Sequence, residues 1–269
     1  MNSTSTILRN FKIATGCACL LAAFALPASA QTFRQQPSYQ QQQQVAPQQQ
    51  ERAGANELLE EGLAHMAKRD VKRAIDSFTR SAQLENTAAM LNLGQIYMSD
   101  LNGEQDAALA LSWFGRAAHM GNGMAAFKVG EIMHYGANGI KPNLVEAARY
   151  YQLSTQRNGP PEAAGRLAMM MLRGEGIPQD VQRGAEMLEQ SAEGGDANSM
   201  FNYGLLLLNG GLGERNFEKG LMLLEAARIT AKPHERTKIK DAIDDIVVDM
   251  DFKARTYYQD AARNWLSRR

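Results

Sequence analysis

The sequence has almost no cysteine. Its two, Cys17 and Cys19, both lie near the start of a 269-residue chain. Aromatic residues are sparse at 7%, and neither sign of charge is in excess, with 29 basic and 29 acidic residues. Beyond the first 30 positions no run approaches the roughly 20 apolar residues that a spanning helix needs. Each scarcity excludes a class of protein. Balanced charge with no basic stripe argues against a nucleic-acid binder. The opening apolar run, residues 13–26, follows Arg9 and Lys12 and ends just before Ala28-Ser29-Ala30. This is the pattern of a secretory signal peptide cleaved near Ala30. The expectation is a mature chain that is periplasmic or secreted, without cysteine, and so without a disulfide, thiol nucleophile or thiolate metal site. Cleavage would leave 27 basic against 29 acidic residues.

Residues 31–50 hold eleven glutamines, two prolines and one charge. Such a tract buries too little apolar surface to offset the entropy of ordering it, so residues 31–54 are expected to form a disordered Gln/Pro-rich linker.

From residue 55 the chain repeats. Small residues at Gly62, Gly94, Gly130, Ala168 and Gly204 are spaced by 32, 36, 38 and 36 positions. A second series, Ala74, Ala110, Ala147, Gly184 and Gly220, keeps nearly the same step. Four residues after each of these comes a bulky side chain: Phe78, Phe114, Tyr151, Leu188 or Leu224. Seven residues after comes another small one: Ser81, Ala117, Ser154, Ser191 or Ala227. Offsets of three, four and seven define one face of a helix. Each unit therefore reads as two helices, with small residues where the backbones approach. Asn143, Asp180 and Asn216 are placed as N-caps of the second helices, and Glu146 sits where it could complete a capping box.

The segment RGEGIPQD, residues 173–180, could suggest a phosphate-cradling loop. It recurs as YGANGIKPN at 135–143 and NGGLGERN at 209–216, so it punctuates the repeat. A phosphate loop would also need a preceding strand and a lysine followed by Ser or Thr. The four histidines, His65, His119, His134 and His234, form no ligand pair of the usual spacing, and no nucleophile elbow or dinucleotide fingerprint occurs. The expectation is no catalytic, cofactor or metal site, and no enzyme.

The run LAMMMLRGEGIPQDVQRGAEMLEQSAEGGDANSM resembles a Sel1-like repeat, with further units starting near Thr87, Gly123 and Ala197. The resemblance covers roughly 87–230. Residues 55–86, with a shorter turn at Lys68-Arg69-Asp70, resemble a tetratricopeptide repeat. What this implies is an all-α, right-handed α/α solenoid. Residues 1–30 would be leader, 31–54 linker, 55–86 a tetratricopeptide-like pair, 87–230 four Sel1-like repeats and 231–269 capping helices.

By analogy with the tetratricopeptide pattern, a concave groove is expected from the first helices. It would be lined by Leu91, Gln95 and Met98; by Phe127, Glu131, His134 and Tyr135; by Met169, Leu172 and Arg173; and by Phe201, Leu205 and Leu208. Many of these are apolar, which suits a peptide or helix of a partner protein. The family resemblance implies an exported interaction scaffold or adaptor that binds an envelope sensor or complex, with no nucleic acid and no cofactor. The rival expectation is a cell-envelope enzyme or cell-wall ligand binder using the same face. A cavity with two or more facing titratable groups would favour the rival.

Overall fold

The computed structural model describes residues 39–268 apart from residue 104. The expected leader with Cys17 and Cys19, and the linker before Tyr39, lie outside these residues. Contacts divide the chain into two units, 1–43 and 44–269, and the fold below is that of the second.

The described residues form helices and no strand, with one isolated bridge between Ala137 and Ile140. The helices come in antiparallel pairs. They are α1 (Tyr39–Ala67) with α2 (Val71–Gln83), α3 (Thr87–Met98) with α4 (Ala107–His119), α5 (Gly123–Tyr135) with α6 (Leu144–Gln156), α7 (Pro161–Arg173) with α8 (Val181–Glu193), and α9 (Ala197–Asn209) with α10 (Phe217–Thr230). Two more, α11 (Pro233–Ile246) and α12 (Phe252–Leu266), follow. From α2 to α11 each helix packs on the next, and α12 packs back on α10, which makes an α/α solenoid with a folded-back end.

One expectation fails at the start. Residues 39–54, read as part of a disordered linker, belong to α1. Composition weighs only the apolar surface that a segment can bury. Glutamine is a good helix former, and extending an existing helix avoids the cost of nucleation.

The two small-residue series explain how the pairs close. A side-chain carbon on Gly62 would lie 2.4 Å from the Phe78 ring, on Gly94 2.4 Å from Phe114, and on Gly130 2.6 Å from Tyr151. Glycine is required there because an aromatic ring occupies the place of its missing side chain. In the fourth pair the bulky partner is Leu188, and the facing residue is Ala168; both are buried. Substitution of the first-helix glycine by alanine is thus matched by a smaller partner.

A similar trade operates in the second series. Carbons added at Gly184 and Gly220 would meet Leu172 and Leu208 at 2.9 and 2.8 Å. The corresponding second-helix position is Ala110 opposite Met98's register and Ala147 opposite that of His134. A γ-branched leucine thus goes with glycine across the pair.

The serines seven residues further on are buried and have fixed partners. The hydroxyls of Ser81, Ser154 and Ser191 donate to the carbonyls of Ala55, Gly123 and Pro161 at 2.6, 2.8 and 2.7 Å. A serine therefore ties the second helix to the first in three pairs, at the first residue of α5 and α7 and within α1.

The loops repeat as well. The backbone N–H groups of Asp106, Asn143, Asp180 and Asn216 donate to the carbonyls of Tyr97, Met133, Met171 and Leu207, each three residues after the small one. The side chains of these four residues then cap α4, α6, α8 and α10. The capping box at Asn143 is only half made. Asn143 accepts from the Glu146 N–H at 3.2 Å, but the Glu146 carboxylate turns to Arg149 at 2.6 Å, because the Asn143 N–H is already taken by Met133.

At the far end Ile239, Ile243 and Val247 of α11 and its following turn, and Ala262 of α12, are buried in one core with Leu221, Leu223 and Leu224. The segment therefore covers the last pair. α11 also follows α9 as the next helix on the inner face, a placement with consequences for the site.

Candidate functional site

An α-helix advances about 100° per residue. With the small residue of each first helix as origin, positions −3, +1, +5, −6 and −2 fall within a sector roughly 60° to 160° away. Position +4 falls about 40° away, beside the small residue itself. The first sector is the concave face, and the second points toward the partner helix.

The expected groove residues divide along this line. Leu172 and Leu208, at +4, fill the space over Gly184 and Gly220. Met98 packs in the core around Phe114, although it also reaches the face. Leu91 and Leu205 are half-buried against the cores of their neighbouring pairs. Phe127 is 7% exposed and stacks 5.9 Å from the Tyr151 ring. The groove is therefore less apolar than expected, because several of its hydrophobic residues already have partners inside the fold.

Position −2 places Lys128, Arg166 and Asn202 on the concave face, and position −6 places Glu162 and Asn198 there. The tetratricopeptide-based offsets omitted these columns, yet the 100° arithmetic alone would have found them. They line three cavities with shared walls. One, of about 250 Å³, lies between α3 and α5, with Gln95, Met98, Lys128 and Glu131 in its wall. The next, about 220 Å³, uses Phe127, Lys128, Glu131, Glu162, Arg166, Met169, Asp196, Asn198 and Asn202, and is closed by Lys232 and Glu235 of the α11 end. The last, about 290 Å³, has His134, Tyr135, Arg166, Met169, Arg173, Phe201, Asn202 and Ile239. Lys128 and Glu131 join the first to the second, and Arg166, Met169, Asn198 and Asn202 join the second to the third.

Most charges here are paired. Lys128 meets Glu131 at 2.8 Å, Lys232 meets Glu162 at 2.5 Å, and Arg173 meets Glu175 at 3.8 Å. Asn198 donates to Glu235 at 2.5 Å. Burial pulls the Glu162 carboxyl up, but the bond from Lys232 and other favourable contacts outweigh it and leave it below the usual range. Asp196 moves the other way. Burial raises it, and its bonds from the Ser199 N–H and hydroxyl, at 2.9 and 2.5 Å, offset only part of the shift.

His134 is held below its ordinary value, chiefly by burial and then by the nearby Arg166 charge, and its ring lies 4.4 Å from that of Tyr135. The His134 Nδ1 and the fully buried Tyr151 hydroxyl have no hydrogen-bond partner. Among the described residues no group of three His, Cys, Asp or Glu side chains is placed to hold a metal ion. No helix among them is long and apolar enough to cross a membrane.

A Sel1 repeat family model matches residues 87–122, 123–158, 161–196 and 197–228, about half of the chain. The chain belongs to the Sel1-repeat family. The matches begin at the first residues of α3, α5, α7 and α9, so one Sel1 repeat is one helix pair. The fold agrees with the crystal structure of a Sel1 repeat protein from Oxalobacter formigenes, with a TM-score of 0.63 at 22% identity over 78% of this chain and 87% of that one. Protein sel-1 homolog 2 of Rattus norvegicus is 28% identical over 128 residues, 46% of this chain but only 18% of that protein. The chain thus spans under a fifth of that relative's length. An exopolysaccharide production negative regulator of Rhizobium leguminosarum bv. viciae is 24% identical over 195 residues, 68% of this chain and 72% of the regulator. Sel1 repeats mediate protein–protein binding and are in general a non-enzymatic scaffold fold.

Proposed function

We propose that this Sel1-repeat chain is an exported regulatory scaffold that binds a protein partner in the groove of α3, α5, α7, α9 and α11, the partner being an envelope sensor or complex. The observation that carries this reading is the continuity of the three concave cavities, which join into a groove across successive repeats. A groove that long suits an extended or helical segment of another protein better than a small molecule. The similarity to the exopolysaccharide regulator supports a regulatory role, because it extends over most of both chains and beyond a single repeat. The opening sequence, with its apolar run and Ala28-Ser29-Ala30, supports export.

The test is co-purification from envelope extract of the organism with two variants of the full chain. Met169→Lys places a charge in the wall shared by two cavities. Val145→Lys alters an exposed residue outside the groove cavities. Partner recovery lost with the first and kept with the second supports the groove. Equal recovery with both contradicts it.

A second reading, an envelope enzyme or cell-wall ligand binder, draws on the facing titratable groups Glu162 and Asp196, which line one cavity and are shifted in opposite directions. Against it, both groups have structural duties. Asp196 caps α9 as Asn86 and Asn122 cap α3 and α5, and Glu162 ties α7 to Lys232. Carboxylates so engaged are poorly free to exchange protons with a substrate.

A further inference from the structure

Among the described residues the charges that line the groove are paired, with one exception. Lys128, Arg173 and Lys232 each have a carboxylate within 4 Å, and Glu131, Glu162 and Glu175 are their partners. Glu235 accepts from Asn198, and Asp196 is bound by Ser199. Arg166 has no ion-pair partner among the described residues. Its guanidinium instead lies 5.5 Å from the centre of the Tyr135 ring.

Arg166 is half-buried and lines two of the three groove cavities, those of about 220 and 290 Å³. Two buried polar atoms without partners, His134 Nδ1 and the Tyr151 hydroxyl, lie near enough for the Arg166 charge to influence both groups. The wall beside it is apolar, formed by Met169, Phe201 and Ile239. Asn202 donates one amide N–H to the Asn198 carbonyl at 2.7 Å and keeps a second. A guanidinium presents a planar fork that fits a carboxylate through two parallel bonds. The approach to the ring uses none of the guanidinium N–H groups in an N–H···O bond, so the fork keeps its donors for a carboxylate.

Resting on the groove reading above, we propose that Arg166 receives the carboxylate of an acidic side chain in the partner segment, while a large apolar neighbour of that residue seats against Met169 and Phe201. The site recognises an Asp or Glu next to a bulky hydrophobic residue. The ion pairs around it have a defined part: they neutralise the other groove charges, so that a single unmatched positive group sets the register of the bound segment.

The experiment is selection of a displayed library of random short peptides on the purified full chain, repeated with Arg166→Gln, Arg166→Lys, Met169→Lys and the outside control Arg116→Gln. Circular dichroism melts establish that each variant is folded. The expected result is enrichment of peptides with a carboxylate beside a large apolar residue. Binding should weaken at least about tenfold in Arg166→Gln, recover in part in Arg166→Lys, which keeps the charge but loses the fork, and stay unchanged in Arg116→Gln. Enriched peptides that are lost with Met169→Lys but carry no carboxylate, or are indifferent to Arg166→Gln, would overturn the assignment of Arg166 and leave the groove intact. A selection that enriches nothing, or only peptides indifferent to Met169→Lys, would overturn both.

Discussion

Gly94 and Ala168 hold the same place in two of the repeats, and what each tolerates is decided across the interface by Phe114 and Leu188. Adding a methyl at Gly94 puts carbon 2.4 Å from the Phe114 ring, so Gly94→Ala should cost about 1–3 kcal/mol by overpacking. Combined with Phe114→Leu, which recreates the pairing of the fourth unit, part of that loss should return. Urea denaturation of the two single variants and the double one checks this, and simple additivity would refute the coupling. His134 offers a test by pH. Burial and Arg166 lower its folded pKa, so the unfolded chain takes up the proton first and stability falls as pH drops below about 6.5. Replacing it by leucine, the residue at the same register in the next unit, should remove that part of the fall. Urea midpoints measured above and below this pH should then differ less for the variant than for the parent. The small and bulky series were legible in the sequence because they recur at fixed spacing. The exchange of Gly–aromatic for Ala–Leu was not, since each half looks like a lapse from the pattern until both are seen in contact.

Helices and loops were legible to within a residue or two wherever a cap residue marked the boundary. Asn216 accepts from the Lys219 N–H at 3.0 Å, and Asn216→Ala should cost about 1 kcal/mol, read as a lower thermal midpoint. The loop glycines should not be equivalent. Gly139 has φ of 79° and open space around it, whereas Gly176 has φ of 69° and an added carbon would stand 2.3 Å from the Leu144 carbonyl. Alanine at 139 should cost about 1–2 kcal/mol from the left-handed backbone alone. At 176 the loss should be larger, because the loop must also retreat from α6; equal losses in denaturation would show that the contact does not matter. What the sequence concealed at this scale was the Gln-rich start of α1, since composition predicts burial and does not register helix propagation from a neighbour. The groove columns at −2 and −6 were hidden for another reason. A borrowed offset rule selected position +4, which the 100° step turns toward the second helix, and passed over Arg166 and Asn202.

For the solenoid as a whole, the ends and the inner face follow from stacking. A repeat array needs its last apolar face covered, and Ile239, Ile243, Val247 and Ala262 do this for α9 and α10. Deleting residues after Ala231 should therefore expose Leu221 and Leu224 and produce aggregation or loss of cooperative unfolding in light scattering and melts. The same deletion takes Lys232, Glu235 and Ile239 from the groove walls, so stability and partner binding are linked through α11. Apolar content in the first helices signalled that this face was special. The ion pair that closes it was not visible, because the partners Glu162 and Lys232 stand 70 positions apart. The most direct measurement is photo-crosslinking in the native envelope, with a light-activated residue placed singly at Gln95, Glu131 and Met169 on the inner face and at Arg80, Val145 and Glu186 on exposed outer positions. The account predicts that the three inner positions capture one and the same partner chain and the outer positions none. Capture from the outer positions, with none from within, would contradict it.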